Sequence, residues 1–193
     1  MESIVFASNN SHKLDEVREK LKSFFEINSL KDISCFDDIP ETADTFEGNA
    51  EQKANWVLEK YNYDCFADDS GIEIEALDGR PGVFSARYAG ENCTYEDNNL
   101  KVMKELEGEA NRNAKFVTVI CLKLNGKTKF FRGEVKGKII SEFRGGEGFG
   151  YDPIFRPYGY DKTYAEMGIE EKNKFSHRAV ALSKMISYLS NKN

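Results

Sequence analysis

The sequence predicts a mixed α/β fold in which helices flank a twisted sheet and two lobes border a cleft. Three observations carry this prediction. Apolar runs of strand period alternate with runs of helical period. An Asn125-Gly126 dipeptide joins two long strand-like segments as a two-residue hairpin. No Pro-rich linker, repeat or low-complexity stretch divides the 193 residues, so residues 1–193 read as a single domain.

In chain order, Ile4-Val5-Phe6-Ala7 reads as a buried strand and Ser8-Asn9-Asn10 as a polar turn. A helix is expected from about residue 11 to 25, with Leu14, Val17, Leu21 and Phe24 on one face. A second, 45–61, turns Phe46, Ala50, Ala54, Val57 and Leu58 inward and leads into a short strand, Cys65-Phe66-Ala67. That strand gives way to Asp68-Asp69 and then to Ser70-Gly71, which reads as a turn. A third helix, 94–107, follows a Thr94 cap and gathers Leu100, Met103 and Leu106. Strands 115–124 and 127–135 form the hairpin, residues 145–150 are a glycine-rich loop extended by Asp152-Pro153, and a last helix covers 176–190.

Composition excludes several classes of function. The net charge of −6 argues against a general nucleic-acid coat. No apolar run approaches the roughly 18 residues a membrane span requires. The opening Met1-Glu2-Ser3-Ile4-Val5-Phe6 lacks the basic and apolar regions of a secretory signal, so a cytoplasmic location is expected. Cys35, Cys65, Cys93 and Cys121 are widely spaced without a C-x-x-C pair, which indicates buried thiols rather than a zinc site or a disulfide framework.

Four segments carry chemistry. In Ser8-Asn9-Asn10-Ser11-His12-Lys13, backbone N–H groups at a helix start and one lysine suit phosphate oxygens. Glu41 lies in the turn after Pro40, Glu47 and Lys53 follow it on the second helix, and the Asp68-Asp69 pair at a strand end suits a hard divalent cation with an oxygen left to activate water. Adjacent carboxylates repel and raise each other's pKa unless cations or donors compensate them. Gly148-Phe149-Gly150-Tyr151-Asp152-Pro153 combines close backbone approach with rings that can stack on a base. Lys172-Asn173-Lys174-Phe175-Ser176-His177-Arg178 places cations at the start of the last helix, where the helix dipole prefers anions.

Together these segments, with Phe46-Glu47-Gly48-Asn49-Ala50, Gly79-Arg80-Pro81-Gly82 and Ser85-Ala86-Arg87-Tyr88-Ala89-Gly90, resemble the inosine/xanthosine triphosphate pyrophosphatase family over nearly the whole chain. The first loop departs from that family's usual T-G-N, having Ser8-Asn9-Asn10 instead. The resemblance implies an elongated fold with a central nucleotide cleft, a Mg²⁺ requirement, a homodimer, and a small-molecule purine nucleoside triphosphate as partner rather than nucleic acid or membrane. It implies that Glu41 and Asp69 hold the metal, that Asp69 takes the proton of the attacking water, and that Asp68 is its catalytic neighbour. Ser8, Asn9, Asn10, Ser11, His12, Lys13, Lys53 and Ser70 would then bind the triphosphate. Phe149 would stack on the purine, with Gly150, Tyr151, Asp152, Lys172, His177 and Arg178 completing the base and sugar pocket.

The activity so implied is hydrolysis of ITP, dITP and XTP to a monophosphate and pyrophosphate. Two alternatives remain at this point: a nucleotide sensor that does no chemistry, and a pyrophosphatase for other modified nucleotides. A sensor has little use for Glu41, Asp68 and Asp69 together, whereas only the base pocket separates the two enzymes.

Overall fold

A computed structural model describes residues 2–190. The mixed α/β expectation is met. The strands are β1 (Ser3–Phe6), β2 (Glu26–Asn28), β3 (Cys65–Ile74), β4 (Asn113–Leu124), β5 (Lys127–Ile139) and β6 (Phe155–Pro157), and the helices are α1 (Ser11–Leu21), α2 (Phe46–Tyr61), α3 (Tyr95–Glu105), α4 (Ile169–Phe175) and α5 (His177–Ser190). The strands form one sheet in the order β2-β1-β3-β4-β5-β6. The described chain divides into two compact units, one of residues 2–69, 118–133 and 178–190, the other of 70–117 and 134–177.

In the first unit β1 lies parallel to both neighbours, pairing Ile4 with Ile27 on β2 and Phe6 with Phe66 on β3. Because successive side chains of a strand point to opposite faces, this sheet has two distinct apolar surfaces. On one, Val5, Ala7, Cys65, Ala67 and Cys121 pack against Ala50, Ala54 and Val57 of α2. On the other, Ile4, Phe6, Phe66, Ile120 and Leu122 pack against Val17 and Leu21 of α1 and Ala181, Leu182 and Met185 of α5. Each large aliphatic chain buried here contributes about 1.5–3 kcal/mol. The small residues Ala50 and Ala54 let α2 pack closely on β1 and β3, which matters for the site.

Local signals explain the boundaries. Thr45 caps α2 by accepting from the Gly48 N–H at 3.0 Å, and Asn62 ends it in a left-handed conformation, its N–H returning to the Leu58 carbonyl. α1 stops at Leu21, short of the expected 25, because the Phe24 and Phe25 amides both fold back onto the Leu21 carbonyl and the chain enters β2. Asn125 and Gly126 both take positive φ, as the tight hairpin demands.

The second unit has its own core, in which Ile72, Ile74, Val102, Leu106, Phe116, Phe155 and Tyr164 meet. α3 opens with a reciprocal Thr94/Asp97 capping box. β5 pairs antiparallel with β6, and Gly137 is required there, since a Cβ would lie 2.3 Å from the Arg156 carbonyl oxygen. Two expectations are revised. Ser70-Gly71 is not a turn: β3 continues through it, and Ser85 Oγ accepts from the Ile72 N–H at 2.9 Å. Lys172 does not start the final helix; it lies on α4, which Ser176, in extended conformation, separates from α5. No helix among the described residues is long and apolar enough to cross a membrane.

Candidate functional site

The alternation that organises the first unit's core also sorts its charges. Asp68 follows Phe66 onto the α1/α5 face, and Asp69 follows Ala67 onto the α2 face. Both are buried in the middle of β3, directly after its apolar run Cys65-Phe66-Ala67, and not at the strand end that a turn at Ser70-Gly71 would have made.

On the α1/α5 face, Lys13 Nζ bonds Asp68 Oδ1 at 3.0 Å and Arg178 Nε bonds Asp68 Oδ2 at 3.2 Å. Arg178 also donates through Nη1 to Glu16, so a fully buried guanidinium bridges two carboxylates. Burial alone would raise the Asp68 carboxyl, but Lys13, Arg178 and Lys53 together outweigh it and hold it well below the usual carboxylate range. Burial also lowers the Lys13 ammonium, with Lys53 and Arg178 adding to the effect and Asp68 opposing it. Asn10 orders this end of α1, its Oδ1 accepting from the Lys13 N–H at 3.2 Å, while Ser8 Oγ accepts from the Asn10 N–H at 3.3 Å. Asn9, Ser11 and His12 are exposed at the same helix start.

On the α2 face, Lys53 is ion-paired with Glu41 and lies 4.0 Å from Asp69 Oδ1. Asn49 Nδ2 donates to Asp69 Oδ2 at 3.0 Å. Burial here wins over Lys53 and Lys13, and the Asp69 carboxyl is raised. Neighbouring aspartates thus acquire opposite shifts from their own faces, one anchored as an anion and the other made more basic. The mutual repulsion expected from their adjacency is not what sets them.

Glu41 and Asp69 offer hard oxygen donors already gathered about one positive charge, the Lys53 ammonium. Among the described residues no group of three or more His, Cys, Asp or Glu is arranged to hold a metal ion. That donor set fits Mg²⁺, which typically binds one or two carboxylates and completes its shell with water and substrate phosphates. It does not fit an ion caged by protein alone.

In the second unit, Asp152 organises the glycine-rich loop. Its buried Oδ2 accepts from the Phe149 N–H at 2.9 Å and from Lys172 Nζ at 2.7 Å. Lys172 Nζ lies 4.7 Å from the Phe149 ring centroid, a cation–π distance, and Tyr95 tilts against the same ring at 6.2 Å. Gly148, at φ +81°, leaves room for Asp152, whose Oδ2 would meet an added Cβ at 2.2 Å. Asn99 Nδ2 bonds the Gly150 carbonyl at 3.0 Å and the Tyr151 hydroxyl bonds the Ser85 carbonyl at 2.7 Å. Burial pushes the Tyr151 phenol up, which keeps it a neutral donor. His177 is instead stacked on Phe116, with centroids 4.6 Å apart. Ser70 is half-buried on β3.

Of the residues expected from the sequence, the first unit gathers Asn10, Lys13, Lys53, Glu41, Asp68, Asp69 and Arg178, and the second gathers Phe149, Gly150, Tyr151, Asp152 and Lys172. Glu16, Asn49 and Asn99 were not foreseen as parts of these networks. Glu16 carried no signal in the helical spacing, since it lies about 100° round the helix from Val17, and only its partner Arg178 explains its burial.

Comparison with known proteins bears on this arrangement. The profile of the Ham1 family matches residues 4–188. A dITP/XTP pyrophosphatase of Flavobacterium psychrophilum is 53% identical over 188 residues, covering 97% of this chain and 99% of that protein. One of Flavobacterium johnsoniae is 53% identical over 186 residues, covering 96% and 97%. The solved structure of a HAM1 protein from Coxiella burnetii superposes with a TM-score of 0.91 at 40% identity, covering 99% of this chain and all of that one.

Proposed function

The chain belongs to the Ham1 family, and from that premise we propose that it hydrolyses non-canonical purine nucleoside triphosphates, dITP, ITP and XTP, to the nucleoside monophosphate and pyrophosphate. The observation that carries the reading is the pairing of a more basic carboxylate, Asp69, with cations and a second carboxylate, Glu41, on one face of β3. Nucleotide binding alone gives no reason for that arrangement, which disfavours the sensor alternative. The family relatives at 53% identity are named for dITP and XTP, which supports this substrate class over other modified nucleotides.

In this reading Lys13, Lys53 and the N–H groups at the start of α1 bind the triphosphate, and Glu41 and Asp69 hold Mg²⁺. Bound with the substrate, Mg²⁺ would supply neutralisation of the phosphate charge and of the departing pyrophosphate. Asp69 orients a water for in-line attack on the α-phosphorus and accepts its proton. Asp68, locked as an anion, holds Lys13 and Arg178 in place. Phe149, braced by Asp152 and Lys172, stacks on the purine, while Ser70, Gly150 and Tyr151 complete the contacts to triphosphate, sugar and base; Arg178, buried between Asp68 and Glu16, and His177, stacked on Phe116, join them only where a bound nucleotide reaches their edges. The 6-oxo group of hypoxanthine or xanthine accepts a hydrogen bond where the 6-amino group of adenine offers a donor, so a fixed donor in the pocket selects against ATP.

The enzyme acts on free nucleotides, in keeping with its net charge of −6, and works as a cytoplasmic homodimer. Purified protein with Mg²⁺ and a panel of dITP, ITP, XTP, GTP and ATP tests the reading. Pyrophosphate and monophosphate should form from the first three at rates well above those for ATP. Orthophosphate and diphosphate as products would place the attack elsewhere.

A further inference from the structure

Residues 29–45, which lead from β2 to α2 and carry Glu41, contain no helix or strand. Three side chains of α2 nevertheless hold three consecutive residues of this segment. Asn49 Oδ1 accepts from the Ala43 N–H at 2.9 Å; Gln52 accepts from the Thr42 N–H at 3.0 Å and donates to the Thr42 hydroxyl at 2.8 Å; Lys53 pairs with Glu41. Positions 49, 52 and 53 share one helix face, so a single surface grips the segment as it approaches. Gly48 allows the approach, because a Cβ there would lie 2.5 Å from the Ala43 Cβ.

Asn49 differs from Gln52 in its second bond. It is fully buried, and its Nδ2 donates to Asp69 Oδ2 at 3.0 Å. The orientation of its amide is fixed by chemistry: a backbone N–H can only donate and an ionised carboxylate can only accept, so oxygen must face Ala43 and nitrogen Asp69. We infer that Asn49 is a positioning residue for the reaction, a strut whose one amide sets the Glu41 segment and the Asp69 carboxylate at a fixed separation. The inference rests on the proposed activity for its functional consequence. Two carboxylates that act on one cation and one water must be held to about 0.5 Å, and an irregular segment does not supply that precision by itself.

Two variants separate the strut's two ends. Asn49→Ala removes both bonds, whereas Asn49→Asp keeps an acceptor for the Ala43 N–H and replaces the donor toward Asp69 with an oxygen. Amide hydrogen exchange at Ala43, measured without nucleotide, should accelerate about tenfold in Asn49→Ala and stay near wild type in Asn49→Asp. Turnover of dITP should fall about 10–100-fold in both, with KM within about twofold of wild type. Wild-type kcat in Asn49→Asp would overturn the role toward Asp69, and wild-type exchange at Ala43 in Asn49→Ala would overturn the strut. If Asn49→Ala does not fold, Asn49→Asp still decides the role toward Asp69. Wild-type protein inert toward every purine triphosphate would overturn the proposed activity alone, and the exchange measurement would still decide the strut.

Discussion

Asp68 and Asp69 adjoin on β3 yet face opposite ways, Asp68 bonded by Lys13 and Arg178 and Asp69 by Asn49. The period of a strand assigns them different neighbours, and the neighbours assign them different chemistry. Asp68 serves as a fixed anion that orders cations. Asp69, its pKa raised by burial, is the more basic of the two in the metal-free protein.

Replacing Asp69 with Asn keeps its shape and removes its proton-accepting oxygen. Turnover should drop by about 10²–10⁴, the usual contribution of a positioned general base, while nucleotide binding measured by calorimetry persists. Near-normal turnover would remove Asp69 from the mechanism.

The Glu16–Arg178–Asp68 network is buried, so loss of the guanidinium leaves two carboxylates uncompensated. Arg178→Met should destabilise the fold by about 3–5 kcal/mol. At this chain length that is a fall in Tm on the order of 10 °C, readable by calorimetry.

Asp68 also predicts a pH dependence. Its folded pKa is depressed below the ordinary value of 3.8, so its stabilising contribution is complete above that value and is lost as pH falls toward the folded pKa. The raised pKa of Asp69 acts in the opposite direction, since the folded protein then binds that proton more readily than the unfolded chain. In chelator, denaturant unfolding of wild type should lose stability below about pH 4 more steeply than Asp68→Asn. Parallel profiles would contradict the assignment.

Gly148→Ala tests the base-side loop. An added Cβ would meet the Asp152 carboxylate at 2.2 Å and also strain a positive φ, displacing the support of Phe149. KM for dITP should rise several-fold, and Tm should fall by more than the roughly 1 kcal/mol of the unfavourable φ accounts for, because the buried Asp152–Lys172 pair is disturbed as well. An unchanged KM would separate Phe149 from base recognition.

Much of this was legible in the sequence, because β1, α2, the Asn125-Gly126 hairpin and α5 each carry their own periodicity or turn chemistry. β2 and β6, three residues each, were not legible, since so short a strand is defined by its partner rather than by its composition. Ser70-Gly71 has the composition of a turn, and only the partnership of Ile72 with Ser85 shows why the strand runs on. The acidic pair announced the site, but its division between two faces depends on the helices above and below it. Glu16 is 162 positions from the arginine that explains its burial, a distance no local pattern spans. Asn49 lies in Phe46-Glu47-Gly48-Asn49-Ala50, part of the family likeness, yet its role appears only where Ala43 and Asp69 converge on it.

The position of attack is the claim on which the rest depends, and hydrolysis of dITP in ¹⁸O-labelled water reads it directly. Attack at the α-phosphorus predicts a single labelled oxygen in the monophosphate and none in pyrophosphate. Label in pyrophosphate with unlabelled monophosphate would contradict it, and with it the role given to Asp69.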